Sequence, residues 1–247
     1  FKTVENYHPD VLIHCAAISD VAECSKKPEL SHAVNVLGME YLAKACGKTG
    51  TKLVMCSSDQ VYFRKRGEQE SLDAYLEPHW EDCIETPEPL YGKQKLQGEE
   101  ICLKYQPESV VLRLSWMYDN LTEEELAKGR RSLAMMLREM LDKKQSRKFS
   151  DTDHRGATDV NLVVKNMEAA WKLPGGIYNY GSSNDANMYE TVRRVMASFG
   201  QEALVEKATG GNVRNLMMST DKLAQHGIFF PDTAAGLEAF LRKGGAL

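Results

Sequence analysis

The sequence of 247 residues has no long apolar run and no extended basic cluster. No stretch approaches the roughly 20 consecutive apolar residues that a membrane-spanning helix needs. The longest basic block is the tripeptide at 64–66, and 31 basic residues are balanced by 35 acidic ones, for a net charge of −4. A surface that binds nucleic acid needs clustered Lys and Arg. The composition therefore predicts a globular protein whose partners are neither nucleic acid nor a membrane.

Spaced pairs of metal ligands are also missing. The six histidines form no HxxxH pair, and the six cysteines form no CxxC. Two of these cysteines, Cys15 and Cys56, lie inside apolar runs, where a thiol behaves as a small hydrophobic group. These absences predict no metal site, no disulfide framework and a reducing, cytoplasmic location.

The sequence does contain a regular alternation of strands and helices. Apolar runs at 10–17, 52–58 and 109–116 are typical of short buried strands, and the first is predicted to be buried on both faces. Residues 28–48 carry apolar side chains at helical spacing, and a second helix precedes the third strand. This alternation, with short connections, predicts an α/β fold: a Rossmann-type doubly wound parallel sheet with helices on both faces.

The pattern loosens after residue 116. A charged helix over about 122–145 is followed by a strand at 175–183 and an amphipathic helix at 187–200. We interpret residues 1–116, together with returning segments, as the sheet domain. Residues 117–247 are then a smaller, mixed α/β lobe woven back onto that sheet.

The connection over residues 64–86 is polar, irregular and long. Loops of this size beside a strand end often serve as lids or binding loops. A solvated insertion of no consequence is the alternative interpretation.

Small and polar residues stand where the predicted strands end. These ends are Ala16 and Ala17, the pair at 57–58, and the pair at 115–116. Ligands of open α/β sheets bind beyond the carboxyl ends of the strands. Tyr91 begins its helix near the same edge, so we expect four separate segments to converge on one site.

The stretch PEPLYGKQKLQGEE at 87–100 places Tyr91 and Lys95 one helical turn apart. With Ser58, the phenol and the ammonium form a set that delivers a proton to a substrate oxygen. A free tyrosine has a pKa near 10, and lowering it by about three units takes roughly 4 kcal/mol, which a neighbouring ammonium can supply. Such a set serves carbonyl reduction or alcohol oxidation with a nicotinamide. A surface helix whose tyrosine packs under a lysine stem is the alternative.

An ordered set of motifs carries a family resemblance. SSDQVYF at 57–63 and ETPEPLYGKQKLQGE at 85–99 are accompanied by HPDVLIHCAAISDVAEC, AVNVLGMEYLAKAC, VVLRLSWMY and VRNLMMSTDKL, so nearly the whole chain is covered. The chain resembles the extended short-chain dehydrogenase/reductase superfamily and, within it, the dTDP-4-dehydrorhamnose reductase family of sugar-nucleotide-binding proteins. The resemblance implies a partial dinucleotide-binding Rossmann domain and a substrate-binding lobe.

The resemblance also implies roles for individual residues. They are Ser58, Tyr91 and Lys95 as catalytic residues, Ala16, Ala17, Asn35, Ser57, Lys95 and Ser115 as cofactor-binding residues, and Trp116 and Arg155 as substrate-binding residues. Lys95 would also hold the nicotinamide ribose, and Arg155 would bind the nucleotide diphosphate.

Several of these residues have a structural alternative. Ala16 and Ala17 also suit tight strand packing, and Trp116 also suits a core. Asn35 is compatible with a buried polar group that bonds to backbone. Arg155 is compatible with a surface ion pair.

Two departures from the family pattern stand out. The reductases carry an Arg-Pro pair where this chain has Asn212 and Val213, which removes one phosphate ligand. The family begins with a strand and a glycine-rich turn that holds a pyrophosphate, yet no GxxGxxG occurs here. Since the sequence opens on Phe1, we expect the protein to start about fifty residues further upstream; a degenerate family member is the alternative.

The leading functional expectation is an enzyme that reduces a 4-keto group on a nucleotide-sugar with NADPH or NADH. A non-catalytic dinucleotide-binding regulatory subunit, like the β subunit of methionine adenosyltransferase, is the second possibility. A nucleotide-sugar epimerase is the third. A homodimer is compatible with the resemblance.

Overall fold

The computed structural model describes residues 2–83 and 86–244. Its strands are short, and all their pairings are parallel. They are β1 (Val11–His14), β2 (Lys52–Ser58), β3 (Val110–Leu114), β4 (Trp116–Tyr118), β5 (Arg147–Ser150), β6 (Asp153–Arg155), β7 (Ala157–Asp159), β8 (Gly176–Tyr180), β9 (Val205–Ala208) and β10 (Arg214–Leu216).

Helices connect most of these strands. They are α1 (Lys2–Tyr7), α2 (Val21–Lys26), α3 (Pro28–His32), α4 (Gly38–Thr49), α5 (Leu72–Tyr75), α6 (Leu90–Tyr105), α7 (Glu123–Ala127), α8 (Leu133–Lys143), α9 (Val160–Lys165), α10 (Met167–Trp171), α11 (Met188–Ala197), α12 (Asp221–Ala224) and α13 (Thr233–Lys243). A π-helical turn at Ala33–Leu37 joins α3 to α4. Together they form the helix predicted over 28–48.

The main sheet has four parallel strands in the order β1-β2-β3-β8. Alternate residues of its strands face opposite layers of helices. On one face Leu53, Met55 and Val111 pack with side chains of α4 and α6. On the other, Val54 and Leu112 pack with α9, α10 and α12. Burial of each such side chain contributes about 1.5–3 kcal/mol, so the two-sided apolar strands produce the predicted doubly wound, Rossmann-type sheet.

Two local predictions are wrong. Strand β1 is not buried on both faces, because Ile13 is 37% exposed and its three neighbours in the strand are only partly buried. The predicted helix over 122–145 is two helices, α7 and α8, since Gly129 between them adopts a φ of 79°. That left-handed conformation ends a helix and suits glycine.

Within the described residues, the second half of the chain contributes β8 to the main sheet and builds three two-stranded sheets. A separate core of buried residues from α8, α11 and α13 includes Leu137, Val192 and Leu241. The division into domains at residue 116 stays a prediction. Among the described residues, none of the helices has the length and apolar character needed to span a bilayer.

The described part of the loop over 64–86, which excludes residues 84 and 85, packs on β10. Tyr75 is buried, and its hydroxyl donates to the Val213 carbonyl at 3.2 Å. Asn215 Nδ2 donates to the carbonyls of Tyr75 and Glu77 at 2.7 and 2.8 Å. These buried hydrogen bonds fix the loop beside the sheet edge and contradict the alternative of a freely solvated insertion.

A buried ion pair ties α6 to the two central strands. The side chains of Glu99 and Arg113 are 1% and 3% exposed, and Arg113 Nη2 lies 2.7 Å from Glu99 Oε2. Ser57 Oγ donates to Glu99 Oε1, and Arg113 Nη1 donates to the Tyr62 hydroxyl at 2.6 Å. Because every partner is withdrawn from water, the pair depends on these hydrogen bonds. It fixes the ends of β2 and β3 relative to α6.

A close backbone contact sets the first turn of α6. A Cβ at Gly92 would lie 2.3 Å from the Gln60 carbonyl oxygen and 2.9 Å from Pro87 Cβ. Only glycine permits this approach, which brings the preceding Tyr91 against the 3₁₀ turn at Asp59–Tyr62.

Arg113→Met should destabilise the fold by about 3–5 kcal/mol, because it leaves the Glu99 carboxylate buried without its partner. Urea unfolding followed by circular dichroism measures the change. Lys172→Met, which removes the exposed i,i+4 pair with Glu168, is the matched control and should leave the midpoint nearly unchanged. Equal midpoints for the two variants would contradict this assignment.

Gly92→Ala should cost about 1–3 kcal/mol, since the added methyl group overlaps the Gln60 carbonyl. In Gly38→Ala, also in a helix, the added methyl group meets the Ala33 carbonyl oxygen at an ordinary 3.6 Å, and the change should be neutral or stabilising by up to about 1 kcal/mol. The difference in unfolding free energy between the two alanine variants is the measurement. Equal stability of both would show that the close approach is not constraining.

Candidate active site

A cleft of about 410 Å³ opens at the carboxyl ends of β1, β2 and β3. Most of the residues predicted for the site line it, and their convergence from separate segments is observed. They are Ala17, Ser57, Ser58, Tyr91, Lys95, Ser115, Trp116 and Arg155.

The predicted proton-delivery residues meet in this cleft. Tyr91 lies in the first turn of α6 and is 6% exposed, and its side chain interacts with that of Ser58. Lys95 Nζ lies 5.8 Å from the centroid of the Tyr91 ring and donates to the Cys56 carbonyl at 2.8 Å. Ser58 Oγ accepts the Gln60 amide at 3.2 Å and so caps the 3₁₀ turn at Asp59–Tyr62. The phenol and the serine hydroxyl can therefore act on a single substrate atom.

The expected lowering of the tyrosine pKa is not observed. Burial raises the pKa of Tyr91 above its ordinary value, and the hydrogen bond with Ser58 only partly opposes this. Burial also lowers the pKa of Lys95. The physical reason is that both groups are withdrawn from water, which favours their neutral forms, while the ammonium is directed to the Cys56 carbonyl. At neutral pH the phenol therefore keeps its proton.

Two of the predicted cofactor residues are not part of the cleft lining. Ala16 is exposed beside it. Asn35 is buried behind it, where its Oδ1 accepts from the Ile18 amide at 2.9 Å and its Nδ2 donates to the Ile18 carbonyl at 3.0 Å and to Gln94 Oε1 at 2.9 Å. Asn35 thus fixes the loop after β1 against α6. This agrees with the alternative interpretation, in which Asn35 is a buried polar group that bonds to backbone.

A stacked ion pair also lines the cleft. Arg155 is 12% exposed, its Nη2 lies 3.0 Å from Asp59 Oδ2, and its guanidinium lies 4.9 Å from the centroid of the Trp116 ring. Its Nε is buried and has no hydrogen-bond partner among the described residues. An unsatisfied guanidinium nitrogen beside an aromatic face is suited to an anionic oxygen of a ligand.

Sequence reasoning missed several cleft residues. Asp59 and Gln60 belong to the SSDQ motif, and Arg214 lies in the quoted VRNL segment, two residues beyond Asn212. Arg214 Nε and Nη2 donate to the two carboxylate oxygens of Asp153, each at 2.8 Å, so the guanidinium is held at the cleft. Arg214 lies close in sequence to Asn212, where the family arginine is missing, and this proximity could have identified it as a cleft residue.

The lining is compatible with a dinucleotide. The small side chains of Ala17 and Ser19 line the cleft, together with the buried side chain of Lys95. The described residues include no cluster of three or more His, Cys, Asp or Glu side chains that could hold a metal.

Comparison with known proteins gives consistent results. The RmlD substrate binding domain family matches residues 1–219. The chain is 34% identical to a dTDP-4-dehydrorhamnose reductase of Mycobacterium tuberculosis over 128 residues, which are 51% of this chain and 40% of that protein. It is 29% identical to methionine adenosyltransferase 2 subunit beta of Xenopus laevis in an alignment 242 residues long, which covers 91% of this chain and 67% of the relative.

The fold is similar to that of a solved reductase. The crystal structure of dTDP-4-dehydrorhamnose reductase from Bacillus anthracis, in complex with NADP, superimposes with a TM-score of 0.79 at 19% identity and covers 98% of this chain and 82% of that one. At this identity the likeness shows the fold. The chain spans about two thirds or less of the length of the curated relatives it matches.

Proposed function

The chain belongs to the RmlD substrate binding domain family, and on that premise we propose that it acts in the NAD(P)H-dependent reduction of a 4-keto nucleotide-sugar. The observation that carries the proposal is the meeting of Ser58, Tyr91 and Lys95 in one cleft at the carboxyl edge of a parallel sheet. This is where an open α/β sheet binds its ligands.

The proposed roles follow from the state of each group. A bound reduced nicotinamide supplies the hydride. Tyr91, which keeps its proton because it is buried, donates that proton to the carbonyl oxygen as negative charge develops there. Ser58 donates a hydrogen bond to the same oxygen. Lys95 and the small residue Ala17 would hold the cofactor on the side of the cleft formed by β1 and β2.

The two cleft arginines are proposed to bind the anionic part of the nucleotide-sugar. Arg155 offers its unpartnered Nε, and Arg214 brings a second guanidinium to the cleft two residues beyond the position where the family arginine is absent. Both are oriented by carboxylates, Asp59 and Asp153, so little side-chain freedom is lost on binding. Guanidinium groups favour phosphate oxygens because several N–H donors face the same direction.

A second candidate is a non-catalytic dinucleotide-binding subunit that regulates a partner enzyme. It is favoured by the similarity to the Xenopus subunit across 91% of this chain, and by the replacement of the Arg-Pro pair by Asn212 and Val213. The presence of all three proton-delivery residues favours the reductase.

Tyr91→Phe in the full-length protein should lower turnover of a dTDP-4-keto-6-deoxy sugar by about 10²- to 10⁴-fold, because the proton donor is lost. The loss of NADPH absorbance measures turnover, and fluorescence titration with NADPH should show that cofactor binding is kept. Tyr7→Phe, at an exposed tyrosine, is the control. Undiminished turnover in Tyr91→Phe would refute the assigned role. If the unaltered protein binds NADPH but turns over no 4-keto nucleotide-sugar, the regulatory subunit is favoured.

Arg214→Gln should raise the KM for the nucleotide-sugar about 10- to 100-fold with a smaller change in kcat, since hydrogen bonds to a charged group contribute about 1.5–3 kcal/mol. Arg194→Gln, which removes an exposed pair with Asp185, is the matched control. Steady-state kinetics at saturating NADPH give both constants. An unchanged KM in a folded Arg214→Gln protein would remove Arg214 from the substrate site.

A further inference from the structure

Two cysteine thiols face each other at the edge of the cleft. Cys15 follows β1, Cys56 lies on β2, and their sulfur atoms are 3.6 Å apart. The register of β1 and β2 pairs His14 with Met55, so the residues that follow these two, Cys15 and Cys56, lie opposite one another. Both cysteines line the cleft. The proposed reaction uses neither thiol.

We propose that Cys15 and Cys56 are an oxidation site, at which a two-electron oxidant converts the two thiols into a disulfide within the cleft. Neighbouring strands of a sheet are about 4.8 Å apart, which lies inside the range of about 4.4–6.8 Å between the Cα atoms of disulfide-bonded cysteines. The sulfur atoms must approach from 3.6 Å to about 2.05 Å. Rotation of the two side chains and a small shift of the two strands supply that movement.

The two thiols differ in exposure, and this difference sets the order in which they react. Cys15 is exposed and is reached first by the oxidant, whereas Cys56 is partly buried. Hydrogen peroxide oxidises the Cys15 thiol to a sulfenic acid and is itself reduced to water. The Cys56 sulfur then attacks the Cys15 sulfur, the S–O bond breaks, and the hydroxyl leaves as a second water with the proton of Cys56. Burial raises the pKa of Cys56 to about 12, so at neutral pH its thiol stays protonated and reacts slowly with peroxide.

The disulfide would alter the groups on which the proposed function rests. The Cys56 carbonyl accepts the hydrogen bond from Lys95 Nζ at 2.8 Å, and Ser57 and Ser58 follow Cys56 directly. Cys15 is two residues from Ala17 on the side of the cleft assigned to the dinucleotide. We therefore expect oxidation to weaken dinucleotide binding, and bound dinucleotide to shield Cys15 from the oxidant.

Hydrogen peroxide treatment of the full-length protein, followed by blocking of free thiols, intact mass measurement and peptide mapping, tests the site. The expected result is the loss of two hydrogen atoms, a cross-linked pair of peptides containing Cys15 and Cys56, and reversal by dithiothreitol. Cys15→Ser and Cys56→Ser should each abolish the link. Cys83→Ser, at a partly exposed cysteine in the loop after β2, should leave it unchanged.

Peroxide treatment that leaves both thiols free, oxidises Cys15 to the sulfinic acid without a link, or joins Cys15 to a different cysteine would overturn the proposal. NADPH titration of the reduced, oxidised and re-reduced protein provides a separate readout. Loss of binding on oxidation with recovery on reduction supports the link between the disulfide and the cleft. If the reduced protein fails to bind NADPH, the proposed function fails, while the peptide map still decides the oxidation site.

Discussion

The candidate site depends on the buried pair between Glu99 and Arg113. One carboxylate on α6 accepts hydrogen bonds from Ser57 at the end of β2 and from the guanidinium on β3. Glu99 also lies one helical turn beyond Lys95, so the interaction that anchors α6 sets the height of Lys95 and Tyr91 above the strand ends. A charge pair this far from water is held together by complete hydrogen bonding, and it fixes geometry more than it adds stability.

Burial also determines the electrostatic character of the cleft. The phenol of Tyr91 and the ammonium of Lys95 share one poorly solvated space, and both pKa values move towards the neutral form. The protein alone therefore does not produce an acidified tyrosine. What it produces is a protonated donor beside Ser58, with the cleft residues Arg155 and Arg214 held in place by Asp59 and Asp153. Such a cleft is suited to an anionic ligand whose oxygen gains negative charge during the reaction.

Local sequence patterns accounted for the elements that have a strong period or a clear boundary. The runs at 52–58 and 109–116 became β2 and β3, and the helix over 28–48 was continuous through its π turn. The patterns failed where a neighbour decides the outcome. The run at 10–17 reads as apolar on both faces, but the exposure of Ile13 depends on which other elements pack over it, and the run itself does not contain them. The break at Gly129 is a single left-handed residue, which helical periodicity does not register.

The sequence by itself determined the order of strands and helices, the edge at which the site lies, and the chemical types of Ser58, Tyr91 and Lys95, because these follow from spacing along one segment at a time. Only the tertiary structure decided how those groups are solvated, that Asn35 anchors a loop behind the cleft, that Arg214 enters it, and that Cys15 faces Cys56. Each of those facts joins residues from separate segments. Their distances depend on strand register and on the packing of α6, which no short stretch of sequence contains.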